Sequence, residues 1–511
     1  MTNMRGLTFG HVAEANAKRH ADEDCLVMET ETDSESITFA EFNERVDRVA
    51  HLLRERGVEA GDRIAVYMQN NVETLETYYG AMKLGALPVP INHRFKDEEV
   101  GYVLRDSGAR LCVFDSDAAS TIHAVRESET PVEEYLYVGA DTPSFADDFR
   151  AARDAAADER IDVVPNRLDD AALLYTSGTT GQPKGCILTH DNLLQNSVNT
   201  VYSAGFEESA DRFLIVTPLF HIAAFGVFNN TFYAGSTTHL VEEFDPVRTL
   251  EIIDEANITG SFFVPTMSRA MLAVDEFEEY DLSSFESYMT GAAPSSEELK
   301  RTVMNAFDAD LYEVFGQTEL SPVTTILHPE DALEKPDSIG KPIINVTLKI
   351  VDDDGAEVEQ GAIGRAAYKG ATAFREYLGM PEKTDDVFDD EGYFVSSDLV
   401  RRDEEGFVYF VDRYDDMIIS GGENVYPTEI EAALEDHEDI AAAGVVGVPD
   451  ETWGERVKAV VILREGISMT TDEVRSIVGD RLAEFKLPRE VEFRESLPRN
   501  PTGKVIKSQL S

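Results

Sequence analysis

Apolar residues return along this chain at two different periods, and the alternation between those periods is the first guide to its fold. Thr38 and Glu41 stand ahead of Phe42, Val46, Val49, Ala50 and Leu53, which recur at helical spacing until Gly57. A hydroxyl at the N-cap and a carboxylate three residues on satisfy each other's unpaired N–H groups, so this stretch predicts a capped helix. Short apolar runs at 64–68, 87–91 and 111–114 predict strands, with a helix over 72–84 closed by Gly85. Runs at 171–175 and 186–188 predict two more strands. The same rhythm resumes with strands near 213–216 and 261–264 and helices near 250–255 and 297–307. Such alternation predicts an α/β chain whose large, layered N-terminal domain has mostly parallel sheets.

Past about Asp412 the units shorten. A loop at 420–424, a helix from Thr428, a strand near 444–448, extended chain at 458–463, a helix from Thr471 and extended chain at 491–493 predict a small, mobile α+β C-terminal domain. The stretch Asp412-Arg413-Tyr414-Asp415-Asp416 is the expected linker, which divides the chain into 1–413 and 414–511. Neither an internal repeat nor a low-complexity segment interrupts this order.

Charge changes the picture of partners. The 511 residues carry 98 Asp and Glu against 45 Lys and Arg, a formal net charge of −53, which disfavours nucleic acid. The acids are spread along the chain, as at 21–24 and 351–355, and this suggests the evenly hydrated surface of a halophile. In roughly 1 M salt the Debye length falls to about 3 Å and screens the self-repulsion. An acidic face made for a basic partner would concentrate the charge instead.

Cys25, Cys112 and Cys186 are odd in number and far apart, which fits buried thiols in a reducing compartment. Residues 1–23 lack a basic and then apolar leader, and no apolar run is long enough for a bilayer. A cytoplasmic protein without integral membrane association is expected.

The candidate chemistry begins between strands 171–175 and 186–188, where the chain reads T-S-G-T-T-G-Q-P-K-G. Gly178, Gly181 and Gly185 allow the backbone N–H groups to turn toward an anion. Thr176, Ser177, Thr179 and Thr180 add hydroxyl donors, and Lys184 adds charge. This is not the Walker pattern, because neither Gly340-Lys341 nor Gly503-Lys504 is followed by Ser or Thr. A loop that grips a polyphosphate is expected, and an ordinary P-loop NTPase is not.

Together with this loop, Y-E-V-F-G-Q-T-E-L at 312–320, S-S-D-L-V-R-R with G-F-V-Y-F-V-D-R at 396–413, and L-P-R-N-P-T-G-K at 497–504 resemble the adenylate-forming superfamily. That superfamily includes acyl-CoA synthetases, peptide-synthetase adenylation domains and firefly luciferase. The resemblance covers nearly the whole chain and implies ATP, magnesium and CoA as cofactors. A carboxylate would attack the α-phosphate of ATP to give acyl-AMP and pyrophosphate, and a thiol would then take the acyl group.

The resemblance also implies residue roles. Glu319 would be the magnesium carboxylate, with Thr176 as a further oxygen ligand. Thr318 would bond near the α-phosphate, Phe315 would stack on adenine, and Gly291, Ala292 and Ala293 would line its pocket. Asp398 would accept both ribose hydroxyls, although Ser396-Ser397 precede it where the family usually has Thr-Gly. Arg413 would contact ribose or phosphate, and Lys504 would be the catalytic cation. Asp415 would be the hinge that withdraws Lys504 and brings in Gly421 and Gly422 beside the thiol tunnel. Trp453, Phe485 and Lys486 fall where relatives contact CoA.

Phe220-His221 resembles the gate between acyl pocket and thiol tunnel, which makes His221 a catalytic candidate. Residues 222–228 are apolar apart from Gly226 and carry no aspartate for an amino group, which disfavours an amino acid substrate. Phe225, Gly226, Val264 and Thr290 are expected to line a pocket for a fatty or aromatic acid. The leading expectation is therefore an AMP-forming acid–CoA ligase acting on small molecules. A ligase that loads a separate carrier protein, a luciferase-like oxygenase and a non-catalytic nucleotide-binding homologue stay open, as does a homodimer.

Overall fold

A computed structural model describes residues 8–30, 34–128, 130–176, 183–205, 211–420, 423–450, 453–499 and 505–511. By internal contacts the chain forms two compact units: 1–348 with 368–394, and 349–367 with 395–511. These contact boundaries differ from the expected division at 413/414, which follows the shortening of the units past Asp412.

The larger unit is built on a sheet that runs, in order, Lys341–Pro342, Val323–Leu327, Asp310–Gly316, Ser287–Gly291, Gly260–Phe263, Arg212–Ile215, Thr237–Val241, Asp24–Glu29 and Ser34–Thr38. Every pairing from Asp310–Gly316 to Asp24–Glu29 is parallel, and the outer pairings are antiparallel. A second sheet (Leu87–Pro90, Arg63–Tyr67, Leu111–Asp115, Glu134–Val138, Asp147–Asp148) is parallel throughout. Parallel strands need crossovers, and the helices Val72–Leu84, Pro246–Ala256 and Glu297–Phe307 lie between strands as the sequence predicts.

Local signals are honoured as well. The helix Phe39–Glu55 carries the Thr38/Glu41 capping box, with Glu41 N–H donating to Thr38 Oγ1 at 3.2 Å and Thr38 N–H donating to Glu41 Oε2 at 2.9 Å. Gly85 ends Val72–Leu84 in the left-handed conformation at φ 85°. The strands Asp170–Thr176 and Lys184–Thr189 form an antiparallel hairpin, with Glu376–Tyr377 added at its edge.

The smaller unit holds a sheet ordered Thr347–Val351, Gly364–Lys369, Phe394–Arg402, Val408–Arg413, and a second sheet centred on Gly454–Leu463 and Ile440–Asp450. The helices Pro427–Glu435 and Thr471–Gly479 close the apolar core of the second sheet around Ile430, Leu434, Val474 and Val478. Among the described residues no helix is long and apolar enough to cross a membrane, and Cys25, Cys112 and Cys186 are buried free thiols.

Candidate active site

Parallel strands point their carboxyl ends one way, and ligands of open α/β sheets bind where those ends meet loops. Several candidates follow such ends directly. Val264 follows Gly260–Phe263, Ala292 and Ala293 follow Ser287–Gly291, and Thr318 and Glu319 follow Asp310–Gly316. His221 stands a short loop beyond Arg212–Ile215.

Two glycines make this edge possible. A Cβ on Gly291 would fall 2.1 Å from the Val314 carbonyl oxygen, and one on Gly316 would fall 1.9 Å from that of Pro322. Ala292 sits at φ +64°, a conformation that non-glycine residues adopt at a cost of about 1 kcal/mol or more and that clusters at functional sites. Phe315 is half-buried, and its carbonyl accepts Thr324 Oγ1–H at 3.0 Å.

Glu319 lies in the short 3-10 turn Thr318–Leu320, and the hairpin Asp170–Thr176/Lys184–Thr189 is linked to it through a residue that sequence reasoning missed. Tyr377 donates its phenol hydrogen to Glu319 Oε1 at 2.9 Å, while the Lys184 ammonium lies 4.5 Å from the centre of the same ring. Glu319 O also accepts Phe374 N–H at 2.8 Å. Thr176 and Lys184 are cross-strand partners at the mouth of the hairpin. Ser177, Gly178, Thr179, Thr180 and Gly181 lie outside the described residues.

A carboxylate and a hydroxyl are hard oxygen donors that suit magnesium. No cluster of three His, Cys, Asp or Glu able to hold a metal occurs among the described residues. One carboxylate and one hydroxyl would leave most of the coordination of such an ion to other oxygens.

The helix His190–Ala204, which follows the hairpin directly, braces both partners of this contact. Asn192 donates to the carbonyls of Ala371 and Ala373, each at 2.8 Å. One turn on, buried Asn196 donates to Leu320 O at 3.1 Å and Val323 O at 2.8 Å. Thr189 caps this helix by accepting Asn192 N–H at 3.2 Å, and the reach of the two amides to distant loops leaves no mark in the local sequence.

His221 caps the helix Ile222–Ala234, its Nδ1 accepting Ala223 N–H at 3.1 Å. Burial pushes its imidazole below the usual histidine range, so it is neutral at pH 7. Phe220 meets His93 edge to face at 5.4 Å. Gly226 leaves room for Pro322, whose Cδ would lie 3.0 Å from an added Cβ. Phe225 and Thr290, both buried, pack within the fold, Phe225 against Tyr78 at 5.2 Å.

In the smaller unit Asp398 is buried, accepts the Arg413 guanidinium on Oδ1 and accepts Ser396 Oγ–H on Oδ2 at 2.9 Å. Ser396 Oγ also accepts Asp398 N–H at 2.9 Å, so the residue that departs from the family pattern holds the turn itself. Trp453 is 41% exposed with Arg489 stacked 4.3 Å from its ring centre, and this excludes a core role. Lys486 is paired with Glu429 and lies 5.7 Å from the ring centre of Phe485. Asp415 is exposed in the turn Tyr414–Asp416. Neighbouring Asp412 accepts Thr428 N–H at 2.9 Å, and burial raises its carboxyl above the usual range. Gly421, Gly422 and Lys504 lie outside the described residues.

A parallel sheet that sets Val264, Ala292, Thr318 and Glu319 beyond its carboxyl ends has the layout of an α/β ligand-binding enzyme. The comparisons name the family: the chain belongs to the AMP-binding enzymes, whose profile matches residues 13–378, with the AMP-binding enzyme C-terminal domain at 429–504. It is 36% identical over 475 residues to a long-chain-fatty-acid–CoA ligase of Mycobacterium tuberculosis, covering 93% of this chain and 92% of that one. It is 37% identical over 477 residues to a feruloyl-CoA synthase of Amycolatopsis, covering 93% of each. The o-succinylbenzoate CoA synthetase of Bacillus subtilis, solved with its acyl-adenylate intermediate, superposes with a TM-score of 0.87 at 29% identity over 98% of this chain and 97% of that one.

Proposed function

We propose that this chain is an ATP-dependent acid–CoA ligase. It joins a carboxylic acid to the α-phosphate of ATP with release of pyrophosphate, then passes the acyl group to the CoA thiol with release of AMP. The observation that carries this reading is the meeting of Lys184 and Glu319 on one tyrosine at the carboxyl edge of a parallel sheet.

The first half brings two anions together, so its barrier is electrostatic. Thr176, Lys184 and the hairpin loop hold the phosphates, and Thr318 bonds near the reacting one. Phe315 and the Gly291-Ala292-Ala293 segment flank adenine, while Asp398 accepts the ribose hydroxyls beside Arg413. Magnesium, held through Glu319, would offset charge on the phosphoryl oxygens. Lys504 carries its ammonium to the oxygens where charge develops, then leaves by rotation about Asp415 before the thiol attacks. Phe220 and neutral His221 gate the acyl pocket. The apolar helix behind them suits a fatty or aromatic acid, as do the relatives named above. The acidic surface fits work in a salt-rich cytoplasm.

ATP–pyrophosphate exchange in roughly 1 M KCl with magnesium, offered palmitate, ferulate and related acids, tests the first half. Addition of CoA or of a phosphopantetheinyl carrier protein tests the second. Exchange with an acid and thioester on CoA is the expected result, and thioester on the carrier alone would favour the carrier-loading alternative. Nucleotide left unconsumed with every acid would overturn the reading. Lys504→Ala should slow adenylate formation by about 2.7–4 kcal/mol in barrier while thioester formation from supplied acyl-adenylate survives.

A further inference from the structure

The phenol and ring of Tyr377 face different partners, and both partners carry charge in the proposed chemistry. We propose that Tyr377 is a positioning residue that sets Glu319 and Lys184 together for a magnesium-bound triphosphate. The proposal rests on the reading of Glu319 as the magnesium carboxylate and of Lys184 as a phosphate cation.

The side chain is rigidly held. Tyr377 is 3% exposed, and its ring packs against Phe374 at 4.7 Å. Its backbone pairs with Cys186, its N–H donates to Thr384 Oγ1 at 3.0 Å, and the next residue donates to Gly185 O at 2.8 Å. Tyrosine is therefore pinned to the strand that begins at Lys184 while its hydroxyl reaches the turn that carries Glu319.

Donation to Oε1 fixes the plane of the carboxylate and so the direction of its remaining lone pairs. The ring face holds the Lys184 ammonium without neutralising it, as an aspartate there would.

The two functions separate by substitution. Tyr377→Phe removes the donor and keeps the ring, whereas Tyr377→Leu removes both. Binding of α,β-methylene-ATP to the full chain is measured by calorimetry, once with magnesium and once with EDTA. For Tyr377→Phe we expect roughly tenfold weaker binding with magnesium and little change in EDTA, since a hydrogen bond to a charged group is lost. For Tyr377→Leu we expect a further loss that appears in EDTA too, roughly fivefold, from the ring under Lys184.

Wild-type protein that binds the analogue no better with magnesium than with EDTA would overturn the reading of Glu319, and this proposal with it. A magnesium-dependent wild type with an unchanged Tyr377→Phe would overturn the proposal alone. Equal losses for Tyr377→Phe in both conditions would also overturn it, because they mark a merely structural side chain. Should Tyr377→Leu fail to fold, Tyr377→Phe decides the outcome.

Discussion

Asn196→Ala isolates the bracing of the Glu319 turn from its chemistry. Asn196 is 1% exposed, and its amide donates to Leu320 O at 3.1 Å and to Val323 O at 2.8 Å. Its own oxygen lies 3.4 Å from both Val323 N and Thr200 Oγ1, contacts too long to weigh much. Truncation leaves a pair of carbonyls without their donor. At about 1–3 kcal/mol for each buried unsatisfied group, with some relief from water in the vacated space, the larger unit should lose about 2–4 kcal/mol. Urea unfolding of wild type and variant in high salt measures that loss. Because the Leu320 carbonyl adjoins Glu319, magnesium–nucleotide binding should weaken beyond what stability alone requires. A variant within about 0.5 kcal/mol of wild type would refute the reasoning, since surface substitutions commonly stay within that range.

Asp398→Asn keeps the shape of the buried side chain but removes the charge facing Arg413 and turns an amide NH2 toward one of its two donors; the KM for ATP should rise roughly tenfold, measured by pyrophosphate exchange, and the unfolding midpoint should fall as well. His190 is wholly buried, and desolvation lowers its imidazole to about 4. Protonation therefore favours the unfolded chain, and stability should fall by about 3 kcal/mol as pH drops from about 6.5 to about 4. His190→Gln should flatten that part of the stability-against-pH curve, and an unchanged slope would rule the assignment out.

Elements that carry their own local signal were legible before any coordinates. The Thr38/Glu41 box, the Gly85 stop and the two strands on either side of the Thr-Ser-Gly loop depend on neighbours a few residues away, and each forms as expected. Asp398 stood out only through the resemblance, as a candidate ribose acceptor; its burial and its pairing with Arg413 emerge from the cross-strand register. Tyr377 could not be found in this way. It sits in a strand of only two residues, whose place is fixed by pairing with Cys186 nearly two hundred positions upstream, so no period marks it. Asn192 and Asn196 are similar: helical spacing gives them one face, and only the tertiary fold says which distant carbonyls that face meets.

A chain with 98 acidic and 45 basic side chains offers each cation many carboxylate partners. Arg413 meets Asp398, and Lys486 meets Glu429. Lys184 instead meets the face of Tyr377, among the described residues. A carboxylate partner would have to be displaced by an incoming phosphate, at the cost of leaving that carboxylate beside a polyanion. A ring face imposes no such exchange, and because its advantage over a carboxylate is electrostatic, that advantage narrows as salt screens charge. Tyr377→Glu should therefore weaken nucleotide binding more than Tyr377→Leu, and the excess should shrink as KCl is raised. A difference independent of salt would mean that the ring acts through shape and not through charge.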